Sequence, residues 1–498
     1  MHPILVLFSI AILPVLVLLL VSTNHKPYHN GHPLPPAPWP RLPLIGNIFW
    51  YSPNIASLTA VLGRLHNSHG PVVSLWVGNK PAVFLDCHEI THKALTQMGT
   101  IFAHRPTSWF EGVNSHGINS TTYCGRWSLL RRNLSSHLAA VQHATDALRS
   151  SIDGLVKNLE SAVAGTEGGV IAPSEPFRHA MFSFFSALCY GKQVDEDVLA
   201  SLRDLHAEII SLIVELDAFH LMPALLKLVY YLPKWRKLLS AQRRHHVLVT
   251  ALISACRKQP EKVAGCYVHT LLGLGLGEDE MVSLCWEYMN ASVKTTTTAL
   301  DWIMARLVLH QDIQQKLRMD IAERPSGNLV PCCEPRPRRP FLEAVVVEAL
   351  RLHPPAHYLL AHTTDKDVIL DKYAIPKGSI VNINLANIGR DATLWTDPNV
   401  FMPERFMEGG EGSNVNCISG AQTTTKMLPF GAGRRACPGA AIALTVLQSF
   451  VEELVKWFQW EPLERGLMEE PSIDMIEKQG IVTEMRIPLR TRLVVRQH

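Results

Sequence analysis

Apolar positions dominate the start of the chain. Residues 4–21, ILVLFSIAILPVLVLLLV, run 18 positions without a charge. As helix that run is roughly 27 Å long, close to the ~30 Å hydrocarbon core of a bilayer. No Lys or Arg precedes it, and Lys26 and Arg41 follow. A secretory apolar segment is shorter, about 7–15 residues, and follows a basic stretch. A retained anchor over residues 1–24 is therefore expected, with the body of the protein on the cytosolic side. The stretch HPLPPAPWPRLPLIGN (32–47) then repeats proline, which fixes φ and forbids helix. Residues 25–47 read as a stiff hinge, and residues 48–498 as one domain.

Within that domain the period changes several times. Residues 70–86 alternate around Gly70, Gly78 and Pro81 and predict a strand pair. From about 125 to 320 the pattern is mostly helical. Residues 278–324 hold neither glycine nor proline, which predicts one or two long helices through the core. Residues 341–352 form a short helix stopped by HPP at 353–355. Strand alternation resumes over 367–388, with Pro376 and Gly378 as a turn. A last helix covers 438–459, and 481–496 alternate again. The expected class is mainly α with small β-sheets at both ends of the domain. Residues 219–239, FHLMPALLKLVYYLPKWRKLL, mix apolar and aromatic positions with a basic end. They suit either core or a second contact with the membrane.

Composition removes some classes. The chain has 498 residues, 47% of them hydrophobic, and a net charge of +3, too small to argue for nucleic acid. Its ten cysteines form no C-x-x-C pair, which argues against a zinc ribbon, and most are expected to be reduced and buried.

One cysteine stands apart. PFGAGRRACPGAA (429–441) sets Cys437 among Gly431, Gly433 and Gly439, beside Arg434 and Arg435. Pro438 suits the first position of a helix, which would make Cys437 its N-cap. The helix dipole and the two arginines would then favour thiolate. GAGRRA (431–436) loosely matches a dinucleotide fingerprint, but Pro429 stands where the leading strand should end and no βαβ pattern surrounds it. No local base accompanies a nucleophile. A merely buried cysteine needs no pair of arginines. A thiolate ligand to a planar, anionic metal cofactor remains, and haem fits.

FGAGRRACPG (430–439) resembles the haem-binding signature of the cytochrome P450 superfamily, F-x-x-G-x-R-x-C-x-G. Phe430, Gly433, Arg435, Cys437 and Gly439 fill every fixed position. The likeness extends over nearly the whole chain and is greatest to plant microsomal members. It implies the P450 fold, haem b with Cys437 as its iron ligand, and Arg435 on a haem propionate. Glu348 and Arg351 lie three apart on one predicted helix, and PERF (403–406) adds Arg405. The resemblance makes Glu348, Arg351 and Arg405 a buried structural triad. In RWSLLRRNL (126–134), Trp127, Leu130, Arg131 and Leu134 share a helix stripe. An arginine there needs an anion if buried, or snorkels to water. The family likeness assigns Trp127 and Arg131 to a propionate, and His362 to the same role.

Two departures matter. NASVKTTTTALDWIM (290–304) puts Thr295 to Thr298 in mid-helix, where hydroxyls can bond back to the carbonyl four residues earlier and bend the helix. The family pattern here is A-G-x-[D/E]-T. Ala291 and Thr295 match, Ser292 replaces the glycine and Lys294 replaces the acid. In the family that acid works with the threonine in proton delivery to the oxygen site, so Ser292, Lys294 and Thr295 are the candidate catalytic positions. Changing Lys294 to Asp is expected to improve coupling if the acid is what is missing. The second departure is ERPSGNLVPCCEPRPRRP (323–340), where relatives have helical sequence. It reads as a surface loop or as an altered segment of the chain. Arg336, Arg338 and Arg339 at its end are solvated surface or part of a face for an acidic redox partner.

The resemblance implies a monooxygenase of the endoplasmic-reticulum membrane. It would insert one atom of dioxygen into an apolar or amphipathic substrate, with electrons from NADPH through a cytochrome P450 reductase. The family lines its pocket near 107–120, 205–220, 287–295 and 356–362. Lys294 also leaves open a P450-fold isomerase or lyase acting on peroxides, or a haem-binding protein with impaired turnover. Turnover of a lipid hydroperoxide without NADPH would mark the former.

Overall fold

The computed structural model describes residues 28–39, 41, 46–47, 55–77, 80–106, 116–141, 144–191, 194–217, 224–258, 265–323, 340–418, 426–463, 473–478 and 480–497. The apolar run 4–21 and the proline-rich 324–339 lie outside them. Among the described residues no helix is long and apolar enough to cross a membrane.

Helices carry the architecture. In chain order they are α1 (Ile55–His69), α2 (His88–His92), α3 (Gly125–Val141), α4 (Thr145–Ala164), α5 (Ser174–Tyr190), α6 (Glu196–Asp217), α7 (Ala224–Lys258), α8 (Tyr267–Leu272), α9 (Glu278–Leu309), α10 (Gln311–Glu323), α11 (Pro340–Leu352), α12 (Leu385–Gly389) and α13 (Ala440–Trp457). The glycine-free stretch 278–324 is two helices, α9 and α10, parted at His310. Three acids, Glu278, Asp279 and Glu280, favour the positive end of α9. From Met281 onward buried residues lie on nearly every side of α9, and a helix apolar all round belongs inside. It packs against α5, α11 and α13 in the main core. Each fully buried aromatic there, such as Trp302 or Phe450, stabilises by roughly 1.5–3 kcal/mol.

The strands are short: β1 (Tyr28–His29), β2 (His32–Pro33), β3 (Val72–Val77), β4 (Lys80–Leu85), β5 (Val170–Ile171), β6 (His362–Thr363), β7 (Val368–Leu370), β8 (Tyr373–Ile375), β9 (Ile380–Ile383), β10 (Phe458–Glu461), β11 (Glu477–Lys478), β12 (Glu484–Met485) and β13 (Thr491–Val495). The expected pair at 70–86 is β3–β4, antiparallel with Val72 opposite Leu85. The sheets are not local to the ends of the domain as the alternation suggested. The four-stranded sheet runs β3-β4-β9-β6, with Ala82 beside Ile380 in parallel. The three-stranded sheet runs β10-β13-β5 and joins residues near 170, 460 and 493. Period-2 patterning marks a strand but not its partner. Of segment 219–239, only the side chains from 232 are described; Leu232 and Leu239 are exposed.

Candidate haem-thiolate site

Residues 428–439 fold as a chain of tight turns. Gly431 N donates to Leu428 O at 2.9 Å, Ala436 N to Gly433 O at 3.2 Å, and Cys437 N to Phe430 O at 2.8 Å. Gly433 has φ +70°, and a Cβ there would lie 1.9 Å from the Leu95 carbonyl oxygen. Glycine is thus required by contact with the turn at Lys93–Gln97. Helix α13 begins at Ala440 with Gly439 before it, so Cys437 is not its N-cap. Cys437 is a free, exposed thiol. Enough protein surrounds it that desolvation pushes its pKa up, against a backbone hydrogen bond from Gly439 and the charge of Arg131. The expected lowering by Arg434 and Arg435 is not what the structure has. Arg434 is exposed, and Arg435 faces elsewhere: its guanidinium donates to the carbonyls of Ala103, Ile118 and Thr121 at 2.6–2.8 Å.

Those bonds bring Arg435 over the Trp127 ring, 4.6 Å from its centroid. Arg131, one turn along α3, donates to the Ala436 carbonyl. His362, buried on β6, donates from Nδ1 to the Phe102 carbonyl at 2.7 Å. Burial, with Arg105 and Arg435 nearby, pushes its pKa down to about 3, so the ring is neutral. Sequence reasoning missed Arg105 and Glu287. Arg105 donates to the Leu360 and Ala361 carbonyls at 2.7 and 2.8 Å, and burial lowers its pKa to about 9. Glu287 accepts from the backbone N–H groups of Ile118 and Asn119 at 2.5 and 2.6 Å. Burial raises its pKa, while those N–H groups, Arg435 and Arg105 oppose the rise. A signal for it existed: it is the one acid between Glu280 and Asp301 on a helix read as running through the core.

A haem fits this set. Trp127 Nε1 is a buried donor without a partner. Arg105, Arg131 and Arg435 act electrostatically on one another and on Glu287. Three guanidinium groups against one carboxylate leave two positive charges, matching the two propionates of haem b. Desolvated charge of that kind calls for an anionic partner.

Glu348, Arg351 and Arg405 are buried together. Arg351 Nε and Nη2 hold Glu348 at 2.6 and 2.8 Å, a bidentate pair. Arg405 Nε lies 3.4 Å from the same carboxylate, and Met402 N donates to it at 2.9 Å. The other guanidinium donors go to the backbone carbonyls of Gly389, Pro398, Val400, Thr396 and Asp397, and Arg405 Nη1 also donates to the Glu411 carboxylate. The triad clamps α11 to the segment leading to the Cys437 loop.

On α9, Ser292 Oγ donates to Tyr288 O and Thr295 Oγ1 to Ala291 O, both at 2.6 Å, the back-bonding expected of these residues. Lys294 turns to Glu484 on β12, 3.1 Å away.

The family model for cytochrome P450 matches residues 36–484. The chain belongs to the cytochrome P450 family. It is 31% identical over 506 aligned positions to cytochrome P450 89A9 of Arabidopsis thaliana, covering 94% of this chain and 95% of that one. Identity to isoflavone 3'-hydroxylase of Medicago truncatula is 27%, over 97% and 96% of the two chains. A zebrafish cytochrome P450 solved with progesterone superposes with a TM-score of 0.73 at 22% identity, covering 88% of this chain and 99% of that one. P450 membership implies haem as the cofactor, and the mainly helical fold with small sheets is the P450 fold.

Proposed function

We propose that the protein is a haem-thiolate monooxygenase that hydroxylates an apolar or amphipathic small molecule. The observation that carries this reading is the free Cys437 thiol, fixed by the Cys437 N–Phe430 O hydrogen bond within the family's haem loop. Supporting it, the similar plant proteins include an isoflavone 3'-hydroxylase and a flavonoid 3'-monooxygenase.

Haem held through Cys437 would supply redox-active iron for oxygen chemistry. The chain's own residues set the conditions. Cys437 gives the thiolate, and the turn hydrogen bonds stop its loop from moving away. Arg105, Arg131 and Arg435 would neutralise the propionates, and Trp127 Nε1 would donate a hydrogen bond to one of them. Glu287 ties the 116–121 turn to α9, fixing one wall of the substrate pocket. Thr295, on the same helix, offers a hydroxyl for proton delivery. Electrons from NADPH arrive through a membrane reductase. An anchor at 4–21 holds the enzyme on the endoplasmic-reticulum membrane with the catalytic domain in the cytosol; the charge-free run and the basic residues after it support this.

The test is reconstitution with a plant NADPH–P450 reductase and a plant metabolite extract, with product masses recorded. A product heavier than its substrate by one oxygen atom, dependent on NADPH, is expected. Products formed from lipid hydroperoxides without NADPH would overturn the reading.

A further inference from the structure

Lys294 stands where the family motif has an acid, and a carboxylate faces it. Its Nζ lies 3.1 Å from Glu484 Oε1, and both side chains are about a third exposed. Lys294, Thr297, Thr298 and Asp301 are spaced i, i+3, i+4 and i+7, so they share one face of α9. Glu484 acts on both ends of that face, since its charge is also felt by Asp301. Burial pushes the Asp301 carboxyl up to about 7, with Ser174 Oγ donating to it at 2.9 Å. From α5, Arg178 and Glu175 act on Asp301 as well, and they pair with each other at 2.8 Å on the exposed surface. Lys478 stands opposite Glu484 across the β11–β12 pair. Trp302 Nε1 binds the Thr483 carbonyl at 2.9 Å, which pins the hairpin to α9.

An ammonium has donors and no acceptor, so it cannot take up a proton from solvent and pass it on. A carboxylate can do both. We propose that Glu484 carries the carboxylate of the oxygen-side proton path, positioned by Lys294, so that the acid of the motif has moved from α9 to the C-terminal hairpin. This rests on the monooxygenase reading. In one turnover, substrate RH, dioxygen, NADPH and one proton become ROH, water and NADP+. NADPH gives two electrons and releases its proton at the reductase, so both protons of the water enter the site from solvent. Glu484 takes up each in turn on the solvent side and gives it up toward Thr295. Restoring the motif letter alone, Lys294→Asp, sets two carboxylates against each other and leaves Glu484 unheld.

The holoenzyme with reductase and NADPH, without added substrate, provides the assay, because NADPH consumed and hydrogen peroxide released report how far dioxygen is reduced. Glu484→Gln is expected to release about threefold or more peroxide per NADPH, with a larger solvent deuterium isotope effect. Glu484→Asp and the swap Lys294→Glu/Glu484→Lys are expected to keep the original ratio. Lys294→Asp alone is expected to raise it. The pair itself is read without turnover, from thermal unfolding of Lys294→Met, Glu484→Gln and the double variant. A coupling of about twofold in the unfolding equilibrium constant is expected of a pair about a third exposed. Additive variants would remove the pair, and an unchanged peroxide ratio in Glu484→Gln would leave only a structural clamp; either overturns the proposal. Absence of any NADPH-dependent product from the metabolite extract with the unaltered enzyme and reductase would instead defeat the monooxygenase reading, and this inference with it.

Discussion

The loop around Cys437 and the stretch of α9 around Lys294 both belong to the proposed haem site, and they are held by different means. The loop is fixed by its own backbone: three turn hydrogen bonds, a glycine pressed against the Leu95 carbonyl, and arginines whose protons go to main-chain carbonyls. Backbone groups are the same whatever the sequence, so such a loop tolerates change only at positions without a contact. The α9 stretch is held by side chains. Lys294 pairs with Glu484, and Asp301 meets Ser174. Side-chain pairs can be rebuilt with charges exchanged. The difference teaches why one half of the site keeps its motif letter for letter while the other departs from it.

The comparison can be broken from either side. The largest effect is expected from Cys437→Ala, which removes the proposed iron ligand. The reduced, CO-bound spectrum of a thiolate-ligated haem should vanish; its persistence would assign the iron to another residue. Gly433→Ala follows, because the new Cβ meets the Leu95 carbonyl at a φ that side chains avoid. A loss of about 3 kcal/mol in unfolding free energy is expected, together with poor haem retention.

On the α9 side the effects are smaller. Asp301 has a folded pKa near 7, above its ordinary value, so the unfolded chain ionises first. Stability is therefore whole below the unfolded pKa and falls as pH rises from about 4 to 7. Asp301→Asn should remove that slope and leave the protein more stable above pH 7. Chemical denaturation at a series of pH values reads it, and parallel slopes in both proteins would place the Asp301 carboxyl in water. The smallest effect is expected from Ser292→Gly, the family's residue at that position. It frees the Tyr288 carbonyl and costs ~0.5–1 kcal/mol of helix propensity. Cooperative unfolding with a midpoint several degrees lower would show that α9 is as intolerant as the loop.

Much of this was legible in the sequence, for physical reasons. The loop motif is contiguous, and its glycines and cysteine act within ten residues of one another. Helices α9 and α11 show their burial through composition alone. What stayed hidden depends on contacts between distant segments. Arg105 reads as an ordinary arginine before a proline until β6 and the 116–121 turn are brought beside it. Glu287 looks like a lone surface acid until the Ile118 and Asn119 amides close over it. The N-cap expectation for Cys437 failed because Pro438 was read as the first helical residue, whereas the turns hold the chain out of helix until Ala440. Lys294 looked like a loss because its partner lies far along the chain.

That distance has a consequence for synthesis. Strand β13 fills the centre of the sheet formed with β5 and β10, and Glu484 sits just ahead of it. With translation at about 5–20 residues per second, Lys294 leaves the ribosome roughly ten to forty seconds before its partner, some 190 residues later. Until then the middle helix of the enzyme carries an unanswered cation, and two strand edges stand open. A message cut short by as few as about twenty codons would yield a chain with its iron-binding loop present and its last contacts missing, a form for quality control to remove.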